Sequence, residues 1–286
     1  MKLGLSLSGG GIKGAAHIGA LKAFEENNIK FDVVTGTSSG SIIATLYAAG
    51  YSSDEMLKIF NKFSKKIKYV DFRNVLKLIF GFFYGEIAIK GFNSGRVIKK
   101  AVNDFCKQKN INNISDFKLP LGIPSVDLYT NTISAFISTN YLAHKSENIN
   151  YINDIQIGKA VKASTAFPGI FEPVKFKDSI LVDGGLKENT PWKLAKDLGA
   201  DKVINIIFDT PYKMCKCDNI VQIIESSINV LSREASLCDM IGAECVIHIH
   251  TDESIGLLDM KYTNQLYELG YAATIKKINE IRKMGY

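Results

Sequence analysis

Residues 31–40 read FDVVTGTSSG. The first six form an apolar, β-branched run that reads as a buried strand. The last five, Gly36-Thr37-Ser38-Ser39-Gly40, fit G-x-S-x-G, the pattern of a serine held on a sharp turn between a strand and a helix. Gly36 and Gly40 are required there because side chains would collide in so tight a bend. The small apolar stretch SIIATLYAAG (41–50) then predicts a helix that stops at Gly50. Upstream, KLGLSLS (2–8) reads as another buried strand, followed by a glycine turn, GGGIKG (9–14). After it, Ala16, Ile18, Leu21 and Phe24 recur at helical spacing within residues 15–28. Strand, helix, strand, helix at this spacing implies parallel strands joined by right-handed crossovers. The expected fold class is therefore α/β, with a mainly parallel central sheet flanked by helices and an elbow at Ser38.

Further along, Ser52 and Glu55 form a capping box opening a helix with Met56, Phe60, Phe63 and Ile67 on one stripe. Residues 74–92 are strongly apolar and interrupted by Gly81 and Gly85. The pattern predicts a capped helix over 93–108, paired strands over 120–138, and a helix from 154 that stops near Pro168. It predicts a strand running into a glycine turn over 179–191 and strands over 202–209 and 244–251, with helices over 218–242 and 262–284. No repeat, low-complexity tract or linker interrupts the chain, so residues 1–286 are expected to form one domain.

The 286 residues are 46% hydrophobic and 22% charged, a globular balance rather than a disordered one. The net charge is +6, yet only four of the 35 basic residues are arginine, which argues against nucleic acid as a partner. Five cysteines, Cys106, Cys215, Cys217, Cys238 and Cys245, are irregularly spaced and complete no Cys/His metal set. Reduced thiols in a cytoplasmic protein are expected. The N-terminus lacks the apolar core of a signal peptide, and no apolar run reaches membrane-spanning length.

Three predicted strands end in loops with chemical potential. At Gly9, Gly10, Gly11, Lys13 and Gly14, a glycine loop turns backbone N–H groups outward at the start of a helix, where an anion or developing oxyanion is stabilised. It also fits the dinucleotide fingerprint G-x-G-x-x-G. That fingerprint needs an acid at the end of the second strand, where this chain has Gly36-Thr37-Ser38. The second loop is the Ser38 turn. The third is Asp183-Gly184-Gly185, which taken alone reads equally as a plain Asp-Gly turn.

Together, in order and spacing, these loops resemble the patatin-like phospholipase family. HIGALKAFEE after the first loop, ASTAFPGIFEPV (163–174) and GLLDMKYTNQLYELGYAA (256–273) are similar in character to bacterial members. The resemblance implies a serine acyl hydrolase of the phospholipase A or lysophospholipase type. Ser38 would be the nucleophile and Asp183 the proton acceptor of a dyad without histidine. Gly9, Gly10, Gly11, Lys13 and Gly14 would make the oxyanion loop, with Gly10 and Gly11 the foremost donors. Gly36, Gly40, Gly184 and Gly185 would shape the elbow and the dyad loop. Neither metal nor organic cofactor is implied. Lys13 stands where many members carry arginine, keeping the charge but losing the planar fork.

Two other functions compete with this one. The order Ser38, Asp183, then His248 or His250 also fits the triad of an α/β-hydrolase esterase, although that fold needs several strands before its elbow and here there is room for one. A dinucleotide-binding module rests on the glycine loop alone, and a catalytically silent lipid-binding protein is the remaining possibility on the same fold. Peripheral membrane contact is expected through residues 56–92. Lys58, Lys62, Lys65, Lys66 and Lys68 precede Phe80, Phe82, Phe83 and Tyr84 there.

Overall fold

The computed structural model describes residues 1–64, 66, 67, 71, 74, 89–209, 218, 222–224, 226–228, 230, 242–252 and 255–284. The elbow prediction sets the architecture. β1 (Leu3–Leu7) runs through the glycine turn into α1 (Gly14–Glu26), and β2 (Val33–Gly36) runs through Ser38 into α2 (Ser39–Ala48). β1 and β2 pair in parallel, Leu5 opposite Val34 and Leu7 opposite Gly36. α3 (Ser53–Ser64) starts at the expected capping box, in which the Ser52 N–H donates to Glu55 and the Glu55 N–H to Ser52 Oγ. Met56, Phe60 and Phe63 are buried as the stripe requires. Residues 75–88, including Phe80, Phe82, Phe83 and Tyr84, lie outside the described residues, as do Lys65 and Lys68.

α4 (Arg96–Gln108) is capped by Gly95 in the left-handed region, not by a side chain. β3 (Leu121–Asp127) and β4 (Thr132–Ile137) form the antiparallel pair, followed by β5 (Ile149–Ile152). α5 (Ile157–Ser164) ends four residues before Pro168, and the chain from 165 to 173 is a turn rather than helix. Proline disfavours the helical conformation in the residue before it, and here the helix is already released by Thr165, whose hydroxyl donates back to the Val161 carbonyl. β6 (Val174–Phe176), β7 (Ser179–Asp183), α6 (Trp192–Asp197), β8 (Lys202–Asp209), β9 (Cys245–His250), α7 (Thr263–Ile275) and α8 (Ile278–Lys283) complete the described elements. Within 218–242, residues 222–224, 226–228 and 230 are helical; Cys215, Cys217 and Cys238 lie outside the described residues, whereas Cys106 and Cys245 are buried free thiols.

One sheet takes up all nine described strands, with β5-β4-β3-β2-β1-β8-β9 in order and β6-β7 attached through β3. Five of its eight pairings are parallel. Both faces are covered, which is why β1 is buried along its whole length. The larger core gathers Leu3, Leu5 and Leu7 with α1, α2, α3 and α7, and a smaller one packs Val33, Ala135 and Val203 against Leu194 and Leu198.

The register explains how β7 reaches the elbow. β4 occupies one edge of β3 from Gly122 to Asp127. On the other edge, β2 pairs only with Leu121 and Gly122 before it ends at Gly36. β7 takes up the vacated edge at Ser125–Asp127, running the opposite way. β2 and β7 therefore approach head to head, one ending near Ser38 and the other at Asp183.

Candidate active site

Ser38 has φ 51° and ψ −121°, a conformation that costs a non-glycine residue about 1–3 kcal/mol. Several contacts hold it. Its N–H donates to Ser164 Oγ (3.0 Å), and its carbonyl accepts from the Ser41 N–H (2.9 Å) and hydroxyl (2.6 Å). The flanking glycines are obligatory on steric grounds: a Cβ on Gly36 would lie 2.4 Å from the Gly40 carbonyl oxygen, and one on Gly40 2.3 Å from that of Leu7.

Asp183 ends β7 and is 4% exposed. Its Oδ1 accepts from the Gly185 N–H at 2.9 Å, while Oδ2 has no hydrogen-bond partner among the described residues. Burial pushes its carboxyl up to about 7, against the lowering effects of the Gly185 N–H and the Ser38 hydroxyl. A carboxylate with this environment is a far stronger base than an exposed aspartate. Gly184 is required by close approach, since a Cβ would sit 2.5 Å from the Pro124 carbonyl oxygen.

The glycine loop divides into engaged and open donors. The Gly9 N–H donates to the carbonyl (3.2 Å) and Oδ1 (3.1 Å) of Asn189. Lys13 N–H donates to Gly10 and Gly14 N–H to Gly11 and Ile12, so these N–H groups serve the loop itself. Of the five loop residues singled out in the sequence, Gly10 and Gly11 are the two whose N–H groups no described hydrogen bond engages. Gly11 has φ +60°, and a Cβ there would meet the Leu257 carbonyl oxygen at 2.4 Å; Gly10 lies outside the left-handed region and faces the Phe208 ring.

Two cavities meet at Ser38. One of about 450 Å³, open to solvent, is bordered by Gly10, Gly11, Asp183, Gly185 and Asn189 together with Leu186 and Ile228. An apolar one of about 870 Å³, open to solvent, is walled by Ile42, Leu46, Phe60, Phe63, Val102 and Phe171 among others. Phe167 and Leu257 border both.

None of the four histidines borders either cavity. His17 is fully buried on α1, with Nε2 2.8 Å from the Ser8 carbonyl, so that nitrogen carries the proton; burial lowers its pKa to about 4 and keeps it neutral. His248 Nδ1 lies 2.7 Å from Asp209 Oδ2 and His250 Nδ1 3.6 Å from the same oxygen, on the exposed face of β9. His144 is exposed. Among the described residues no cluster of His, Cys, Asp and Glu is arranged to hold a metal ion, and no helix is long and apolar enough to cross a membrane.

Sequence reading missed four residues that hold the site together. Ser164 fixes Ser38, and two residues on, the Ala166 carbonyl accepts from the Asp183 N–H at 3.1 Å. Asn189 secures Gly9, and the Leu257 carbonyl accepts from Ile12 at 2.8 Å. The only local signal was that Ser164 and Leu257 fall in the stretches 163–174 and 256–273, whose likeness to other proteins points to no particular role.

Among known proteins, residues 5–196 match the family description of patatin-like phospholipases. The YqhO protein of Bacillus subtilis is 32% identical over 206 residues, covering 66% of each chain. Lysophospholipase NTE1 of Lodderomyces elongisporus is 28% identical over 205 residues, 71% of this chain but only 12% of the fungal protein's length. The crystal structure of VipD from Legionella pneumophila superposes with a TM-score of 0.52 at 16% identity, over 98% of this chain and 67% of VipD, a likeness of fold.

Proposed function

The chain belongs to the patatin-like phospholipase family, and from that premise we propose that it is a serine carboxylic ester hydrolase acting on phospholipids or related acyl lipids. The observation that carries the reading is the position of Ser38. It stands on a strained elbow between a large apolar cavity and a smaller one bordered by a buried, unusually basic Asp183 and two open backbone donors.

The chemistry follows from these parts. The acyl chain lies in the apolar cavity with its ester carbonyl at the junction. Asp183 takes the Ser38 proton as Oγ attacks the carbonyl carbon, and the Gly10 and Gly11 N–H groups receive the developing oxyanion. Preorganised donors of this kind are worth ~10²–10³ in rate each. Collapse of the tetrahedral intermediate expels the alcohol, which takes the proton from Asp183. Water then enters and attacks the acyl carbon as Asp183 accepts its proton, and Asp183 returns that proton to Ser38 Oγ as the carboxylic acid leaves. No cofactor is needed for either step. The α/β-hydrolase triad would need an imidazole at Ser38, and the four imidazoles are engaged or exposed elsewhere.

We take residues 1–286 as one functional unit, because Leu257, Leu258 and Met260, beyond the matched residues 5–196, help wall the cavity. α3 lends its apolar stripe to the same wall and leaves Lys58 and Lys62 exposed, with Lys66 beyond its end. Membrane contact through residues 56–92 is proposed on these lysines, together with a peripheral, cytoplasmic location.

The test is direct. A fluorophosphonate probe should label Ser38. Incubation with defined phospholipids and lysophospholipids, followed by mass analysis, should show acyl release. Ser38→Ala, Asp183→Asn and the double variant should each lose ~10³-fold or more in turnover to a similar floor, because the pair acts as a unit. His17, His144, His248 and His250 variants that fold should keep their turnover. A folded histidine variant reduced ~10³-fold would restore the triad and sink the dyad.

A further inference from the structure

The end of the sheet that carries Ser38 also carries two short hairpins clamped into one unit. β3 ends at Asp127 and turns through residues 128–131 into β4; β6 and β7 meet through a turn in which Lys177 has φ 51°. Asp127 is buried, and its carboxylate accepts from four donors. Two belong to the β3–β4 turn, the Tyr129 N–H (3.1 Å) and Thr130 hydroxyl (3.0 Å), and two to β7, the Ser179 hydroxyl (2.9 Å) and Ile180 N–H (3.3 Å). The Leu128 N–H donates to the Ile180 carbonyl at 2.9 Å. One buried carboxylate thus locks the two hairpins together.

The tip of this unit is left open by the described residues. Leu128 and Tyr129 are 54% and 73% exposed at the tip. Cations lie on the same unit. Lys175 is exposed opposite Ile180, two strands from Leu128, and Lys187 Nζ donates to the Asn131 carbonyl at the β3–β4 turn. Lys177 and Lys159 stand 5.4 and 5.0 Å from the centre of the Phe176 ring. Lys159, Lys175 and Lys177 form no ion pair among the described residues, and Asp178 is the one acid in the β6–β7 turn.

We infer that this hairpin rim is a docking surface for an anionic phospholipid bilayer. An exposed leucine and tyrosine among unpaired lysines suit the boundary between headgroups and acyl chains. Tyrosine is favoured at that depth, and each lysine near an anionic surface adds attraction. The rigid clamp means that little conformational freedom is lost on docking. A second copy of this chain is a poor occupant, because a two-fold contact would set Lys175 and Lys177 against their own copies. Position also favours a membrane. β7 leads from the rim at Ser179 to Asp183 in four residues, about 13 Å of strand. This inference rests on the lipid hydrolase reading only for its purpose; the surface itself is independent of turnover.

The experiment is vesicle sedimentation with the Ser38→Ala protein, which binds without hydrolysing. Vesicles of phosphatidylcholine alone are compared with vesicles that also contain phosphatidylserine. Lys175→Gln/Lys177→Gln should lower partition onto the anionic vesicles about 25-fold, at roughly fivefold per lysine, and leave neutral vesicles unaffected. Leu128→Ser/Tyr129→Ser should lower partition onto both by on the order of tenfold. The same four substitutions with Ser38 intact should leave turnover of a short, water-soluble ester unchanged, which shows the fold is kept. Unaltered partition of both double variants overturns the docking surface. So does sedimentation velocity showing a wild-type dimer that these substitutions dissociate. Failure of Ser38 protein to cleave any ester counts against the hydrolase reading alone, because docking is scored without it.

Discussion

At the scale of the residue, the unusual group is Asp183. Its folded pKa of about 7 lies above the ordinary aspartate value because burial disfavours the charge. The folded state therefore holds a proton between pH 4 and 7 that the unfolded state has released. Stability contributed by this group is highest in acid and falls as pH rises towards 7. Asp183→Asn removes the buried charge, so it should raise Tm by about 3 °C or more at pH 8, with the gain shrinking towards pH 5. Calorimetry of both proteins across that range checks this; an equal Tm difference at both ends would mean that Asp183 does not titrate between pH 5 and 8 in the folded protein. Catalysis has the opposite demand, since a base must be ionised. The profile of kcat/KM should rise with pH through about 7. A histidine base would give a similar limb, so the shape of the profile does not separate dyad from triad and the variants described above must.

Elements act mainly through their ends. The turn after β1 exposes two N–H groups because its remaining donors are engaged, Gly9 by Asn189 and Ile12 by Leu257. Its glycines differ in their tolerance. Gly11 combines a left-handed φ with a neighbouring backbone oxygen that cannot move aside. Gly10 faces the Phe208 ring, a side chain able to shift. Gly11→Ala should therefore lower kcat by ~10²-fold or more, in the range expected for loss of an oxyanion donor, and Gly10→Ala by less. Steady-state kinetics on folded variants measures the order, and near wild-type turnover in Gly11→Ala would remove that loop from the oxyanion site. The turn after β2 is more constrained still, because both of its glycines lie against backbone carbonyls. The need for Gly36 was legible in the five residues GTSSG, because its clash is with Gly40 inside the turn; Gly40 is held against the Leu7 carbonyl of β1, a contact made only by the fold.

For the whole molecule, the site depends on chain far from its motifs. β8 pairs with β1 along five residues, and α7 packs on α1 so closely that a Cβ on Gly270 would lie 1.9 Å from the Ala16 carbonyl oxygen. A fragment ending at residue 196, where the family match ends, would expose the open edge of β1 and the α1 face that α7 covers. It should be insoluble or lack the cooperative thermal transition of the full chain by circular dichroism; a fragment that folds and hydrolyses esters would show the later residues to be dispensable. The amino-acid sequence by itself determined the parallel β1 and β2 units, the elbow at Ser38 and the glycine turn, because these follow from hydrophobic period and steric limits within a few residues. It also placed His248 and His250 on an alternating strand. The resemblance had already named Asp183; the tertiary structure alone shows how it comes to the same cavity as Ser38, since β7 reaches the elbow by occupying an edge of β3 that β2 leaves vacant. Only the structure likewise decided which glycine N–H groups stay open and how Asp183 gains its basicity. Both depend on burial and on partners more than a hundred residues away, Asn189 and Leu257 for the loop, and such pairings leave no period or spacing in the sequence.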